Sequence, residues 1–278
     1  MVMFMNTRTD FADEIVDKKN KDFKKITKKY RNMKMTVIDI LNENNSYQKE
    51  KGKYISLDFA TLVDEPLRKN IANLLVESLQ ILYKIKKKDK VLIVGLGNQK
   101  IIADSLGPMV ADKIVVTNHL FSLFPNDLDK DLKRVCVFTP KVMGQTGLES
   151  ADLIIAVTKL FKPNVIIVID ALASSSITRI NRVIQLSDTG IAPGSGVGNH
   201  RKEINEKNLH TKVIAIGVAT VVEATQIIKE LDKNVKIPND QSYNLVLTPK
   251  EIDEDIEHLS TIIAESINKY IHSEFKKM

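Results

Sequence analysis

Two aspartates carry the chemistry this sequence advertises. Val91-Leu-Ile-Val-Gly95-Leu-Gly97-Asn98 leads into Ala103-Asp104-Ser105-Leu106-Gly107-Pro108, and Val165-Ile-Ile-Val-Ile169 leads straight into Asp170-Ala171-Leu172-Ala173. Continuous β-branched runs of this kind are strands buried on both faces of a parallel sheet. Ligands of an open parallel sheet bind past the carboxyl ends of its strands. Asp104 and Asp170 therefore face one crevice, where two carboxylates can share a proton and do acid–base work. Asp104 has a second reading, as the N-cap of the helix that follows it. For Asp170, a carboxylate beside an apolar strand is costly to bury unless it is paired or used.

Other motifs are weaker. Gly95-Leu-Gly97 follows a strand, but Lys100 stands where the third glycine of a dinucleotide fingerprint belongs. The two glycines instead let the chain turn sharply and bring the Asp104 loop over the strand end. Asp188-Thr189-Gly190 after an apolar run imitates the active-site loop of pepsin-like proteases, which are all-β, unlike the pattern here. The loop that continues it, through Gly194, Gly196 and Gly198, suits close backbone approach to a substrate or a moving loop. His119, His200, His210, His258 and His272 are scattered without metal-ligand spacing, so neither a metal site nor a cofactor is expected. No serine or cysteine nucleophile stands out.

The elements that must position the aspartates alternate from residue 91 onward. Strands are expected near 91–96, 134–138, 165–169, 183–187, 213–217 and 244–247, and helices near 107–118, 148–161, 220–232 and 249–272. Thr248-Pro249-Lys250-Glu251 reads as a capping box with proline at the first helical position. Upstream, Met35–Leu41 and Tyr54–Asp58 are strand-like, with turn chemistry in 42–46 between them, and Asp64-Glu-Pro66 opens a helix. The fold class is α/β: a mostly parallel twisted sheet with helices on both faces and a small antiparallel N-terminal extension.

With 278 residues and 43% hydrophobic content the chain can bury a sizeable core, yet no apolar run reaches the ~20 residues of a membrane span. One cysteine, Cys136, excludes an internal disulfide and points to a reducing, intracellular compartment. The net charge of +6 is concentrated, since residues 15–35 hold nine Lys/Arg against Asp17 and Asp22. With only Phe23 and Tyr30 interleaved, that run reads as a mobile solvated segment rather than a nucleic-acid surface.

Taken in order, Val94-Gly-Leu-Gly-Asn98, Asp104-Ser-Leu-Gly-Pro108, Val142-Met-Gly-Gln-Thr-Gly147, Ile169-Asp-Ala-Leu-Ala-Ser174, Ser187-Asp-Thr-Gly-Ile191 with Pro193-Gly-Ser-Gly-Val-Gly-Asn199, and Ile214-Ala-Ile-Gly217 resemble the germination proteases, the aspartic-type A25 endopeptidases of spore formers. The resemblance implies a fold akin to the hydrogenase-maturation proteases, a homotetramer, and catalytic aspartates at Asp104 and Asp170. It implies a cytoplasmic forespore or spore-core enzyme, made as a self-processing zymogen, that starts degradation of the small acid-soluble spore proteins on germination. It also implies cutting after an acidic residue and before a hydrophobic residue and an alanine, which Asp10-Phe11-Ala12 satisfies. The expected layout is a propeptide at 1–10, a basic mobile leader at 11–34 and one α/β protease domain at 35–278, with neither membrane nor nucleic acid as partner. Ala192 departs from the resemblance, standing where histidine is expected in many relatives. Two other readings compete: a metal-dependent maturation protease, and a non-enzymatic binding module on a degenerate protease fold.

Overall fold

The computed structural model describes residues 9–15, 23–45, 49–129, 131–194, 201–231 and 245–272. Its centre is a single nine-stranded sheet. The strands are β1 (Phe23–Tyr30), β2 (Met33–Ile40), β3 (Gly52–Phe59), β4 (Lys90–Gly95), β5 (Arg134–Phe138), β6 (Val165–Ser174), β7 (Val183–Ser187), β8 (Lys212–Glu223) and β9 (Val246–Leu247). Their order is β1-β2-β3-β7-β8-β6-β4-β5, with β9 beside the end of β8. The pairs β5–β4, β4–β6 and β6–β8 are parallel, whereas β7 and β1 to β3 extend the sheet antiparallel. The expected fold class and its antiparallel extension are both present.

The apolar runs explain the layers. In β4 and β6 alternate residues point to opposite faces and both faces are buried. One face packs on α2 (Glu65–Leu82), α3 (Leu106–Ala111) and α9 (Ile252–Ile271), whose Leu75, Leu79, Ile256 and Ile263 join Ile93, Ile167 and Ile214 in the main core. The other face packs on α6 (Ser150–Phe161) through Leu92, Val94, Ile166 and Val168. None of the described helices is long and apolar enough to cross a membrane.

Three expectations need correction. Residues 23–34, read as part of a mobile leader, form β1, the turn at 31–32 and the start of β2, paired along all eight residues of β1. Seven of those eight are exposed, so the lysines sit on an edge strand, where charge discourages pairing with another chain. Second, β6 and β8 run past their expected ends to Ser174 and Glu223, which delays the helix expected at 220 until α8 (Ala224–Leu231). Third, the capping box at 248 does not form. The Thr248 hydroxyl donates to the Thr220 carbonyl (2.8 Å), which ties the segment to β8, and α9 begins at Ile252.

Candidate active site

Asp104 closes a short 3-10 turn, Ile102–Asp104, laid over the end of β4. Gly97 makes this possible. It has φ +112, and a side chain there would place its Cβ 2.0 Å from the Asp104 carbonyl oxygen. That carbonyl accepts from the Asn98 N–H at 2.9 Å, which locks the loop. Gly95 and Gly107 permit a second close approach, since a Cβ on Gly95 would lie 2.3 Å from the Gly107 oxygen. The glycines thus serve packing, and Asp104 does not act as a side-chain cap for α3, whose N-cap is Ser105.

Asp170 lies in β6, one residue beyond the last pairing of β6 with β4 at Ile169. It is 5% exposed, and its Oδ1 accepts from the Ala171 N–H at 2.9 Å. Burial pushes its pKa well above the usual carboxylate range, and the neighbouring charge of Asp104 pushes it further. Burial also raises Asp104, though the Asn98 backbone and the Arg201 charge pull it back. The two carboxyls are near enough for the charge of Asp104 to act on Asp170. Burial and the Asp104 charge both favour the neutral form of Asp170, the more deeply buried of the two.

That asymmetry has a stability signature. An aspartate whose folded pKa is raised contributes stability fully present below the unfolded pKa, about 3.9, and lost as pH rises through the folded value. Asp170→Asn removes the penalty, so the variant should melt roughly 3 °C or more above the parent at pH 8. The gain should vanish near pH 4. Thermal scans across that range check this, and a gain largest at acid pH would mean that Asp170 is ionised in the native protein.

A strap made by residues 9–15 lies against the end of β6, near Asp170. Residues 9–15, including the short α1 (Ala12–Ile15), lie along β6 and β7. The Asp10 N–H donates to the Ala173 carbonyl (3.1 Å), and the Asp10 carboxylate accepts from the Ala173 N–H (2.9 Å). A register shift between Leu172 and Ala173 marks this place on β6, and such irregularities re-aim backbone groups. The Asp10 carbonyl oxygen accepts from Lys49 Nζ (3.1 Å) and Gln185 Nε2 (3.2 Å). Phe11 is fully buried against Leu172, Val183 and Ala219, and Ala12 is fully buried against Ile38, Ile40 and Tyr54. Sealing a phenylalanine side chain from water is worth roughly 1.5–3 kcal/mol. Asp10 is also close enough to Asp170 for its charge to help raise that carboxyl.

Acid groups complete the strap. Glu14 accepts from Ser174 Oγ (2.7 Å), Ser175 N (2.9 Å) and Ser175 Oγ (2.6 Å). Arg179 bridges Glu14 (2.8 Å), Asp13 (2.9 Å) and Asp58 (3.1 Å), and its guanidinium lies 4.9 Å from the Phe11 ring centre.

Of the residues the sequence singled out, Asp10, Phe11, Asp104 and Asp170 come together here. Asp188 does not: it accepts from the Lys53 N–H (2.7 Å) and pairs with Lys212, which ties the end of β7 to β3 and β8. Gly196 and Gly198 lie outside the described residues. Among the described residues no cluster of three or more His, Cys, Asp or Glu is placed to hold a metal ion. The sequence reading missed Lys49, Gln185, Arg179 and Arg201. The run of hydroxyls Ser174-Ser-Ser176 is the one signal in the sequence for the acid-binding end.

Comparison with known proteins fixes the class. The model of peptidase family A25 matches residues 3–235, so the frame just described is that of a peptidase. That family is the germination proteases, and the chain belongs to it. It is 40% identical to the germination protease of Clostridium tetani over 96% of this chain and 87% of that one. Against the germination protease of Oceanobacillus iheyensis it is 41% identical over 79% of this chain and 65% of that one. Among solved structures, the NiFe hydrogenase maturation protease HycI of Thermococcus kodakarensis matches with 20% identity and a TM-score of 0.34, over 65% of this chain and 93% of that chain.

Proposed function

We propose that the chain is an aspartic-type endopeptidase of spores, made as a zymogen that cuts itself between Asp10 and Phe11. The observation that carries this reading is the strap itself. It presents an acid, a buried hydrophobe and a buried alanine, in that order, beside the Asp104–Asp170 pair. In this mechanism Asp104, ionised, takes a proton from a water held between the carboxyls. The water oxygen attacks the Asp10 carbonyl carbon. Asp170 then gives its proton to the Phe11 nitrogen as the C–N bond breaks. One water is consumed, and a carboxylic acid and an amine are released.

The same subsites would take the small acid-soluble spore proteins in trans once the leader has gone, with the enzyme acting as a homotetramer in the spore core. Their recognition site resembles the strap, with glutamate, Phe or Ile, alanine, serine and glutamate in succession. The Phe11 pocket accepts a branched or aromatic side chain, whereas the packing around Ala12 leaves little room beyond a methyl group.

The test is the mass of the chain after incubation at mildly acidic pH. Loss of residues 1–10, with Phe11 as the new N-terminus, is expected. The processed enzyme should then cut a peptide containing Glu-Ile-Ala-Ser-Glu after its first glutamate, with or without chelator. Chelator-sensitive cutting would favour the metal-dependent alternative, and salt-dependent DNA binding without peptidase activity would favour the binding module.

A further inference from the structure

We propose that Lys49 and Gln185 are catalytic residues which together stabilise the oxyanion formed at the carbonyl of the residue before the cut. This rests on the reading of Asp10–Phe11 as the cleaved bond. The Asp10 carbonyl oxygen accepts from the Lys49 ammonium at 3.1 Å and from the Gln185 amide at 3.2 Å. The two donors come from different parts of the chain. Gln185 sits mid-strand in β7, paired with Ser56 on one side and Gly217 on the other, and is 7% exposed. Lys49 follows the turn after β2, where Asn45 brackets it by donating to the Lys49 carbonyl (2.7 Å).

The orientation of the Gln185 amide is set by its neighbours. Its Oε1 accepts from the Ala12 N–H at 2.9 Å, so its Nε2 must face the Asp10 carbonyl; a flipped amide would oppose N–H to N–H. One side chain therefore spans the bond, accepting from the second residue after the cut and donating to the carbonyl before it. When the water oxygen adds to that carbon, the C=O electron pair moves onto the oxygen. It receives negative charge where an ammonium and an amide N–H already point, and it returns the pair as the C–N bond breaks. Donors fixed in advance in a dry site act on the transition state more than on the substrate. The two aspartates can supply protons, but neither offers a positive charge at that oxygen.

The experiment uses the full chain for self-processing, and the processed enzyme on a peptide spanning residues 7–16. Lys49→Met, Gln185→Leu and Gln185→Glu should each lower kcat by about 10²–10³-fold, with KM changed by about threefold or less. Gln185→Glu keeps the acceptor for Ala12 and loses the donor, so a loss in kcat there separates oxyanion stabilisation from docking. A second peptide with asparagine in place of Asp10 separates it from reading of the acidic side chain. Lys49→Met should lose the same factor on either peptide, and Lys49→Arg should recover part of it. Variants with kcat intact, or with their loss confined to KM, would overturn the assignment of the pair. Wild-type products cut at another bond would overturn the Asp10–Phe11 reading and the pair with it.

Discussion

Asp104→Asn and Asp170→Asn should each slow leader removal and peptide cleavage by about 10⁴-fold, the upper end of what general acid–base groups contribute. Asparagine keeps the size of either side chain but can neither take a proton from water as a carboxylate does nor release one. The double variant should lose no more than either single one, because a base without its acid partner is already idle. Folding should survive. Asp104 is anchored through its backbone, its carbonyl accepting from Asn98, and the Asp170 site favours a neutral group. Removing Asp104 also removes a like charge, so the Asp170 carboxyl should titrate at lower pH in the Asp104→Asn protein, measurable by carboxyl carbon chemical shift. Retention of normal processing by either variant would end the proposal of a catalytic pair.

The strand-end positions of Asp104 and Asp170 were legible in the sequence because they follow from local pattern. A doubly buried strand has no polar positions, so the first acid beyond it stands at the carboxyl end, where an open sheet binds its ligands. Lys49, Gln185 and Arg179 were illegible for the opposite reason. They come from a turn, a strand and a 3-10 turn that meet only because the sheet runs β3-β7-β8-β6, and strand order is not written in local periodicity. Gln185 in particular sits in the run Val183-Ile-Gln-Leu186, where one polar residue reads as an ordinary strand position. The ends of β6 and β8 failed for a related reason. Ala171 to Ser174 and Val218 to Val222 look like strand exits, yet they pair with one another and so extend the sheet beneath the strap. The Lys-rich β1 shows no alternation because both its faces are exposed, and its strand character comes wholly from pairing with β2.

Arg179→Met should free the strap and slow self-processing by roughly 10²-fold. The guanidinium, 14% exposed on its side chain, faces Asp13 and Glu14, which are 8% and 7% exposed. Taking away one partner of a buried ion pair typically costs roughly 3–5 kcal/mol, because the carboxylates left behind have lost their charge compensation. Asp58 is less affected, since Lys34 still pairs with it at 3.1 Å. The remaining contacts of Glu14 with Ser174 and Ser175 are neutral donors and offset only part of the loss. Amide exchange in residues 9–15 should therefore rise in the variant while that of β4 and β6 stays slow. Lysine should restore the function poorly, because a single ammonium cannot reproduce a planar fork that serves three carboxylates. Peptides separate steering from a general loss of structure. A substrate that keeps both acids after the alanine should lose roughly 10²-fold in kcat/KM, and one that ends at the alanine should be cut equally by parent and variant. Equal losses on both peptides would show that Arg179 supports the fold of the cleft and does not read the acids three and four residues past the cut.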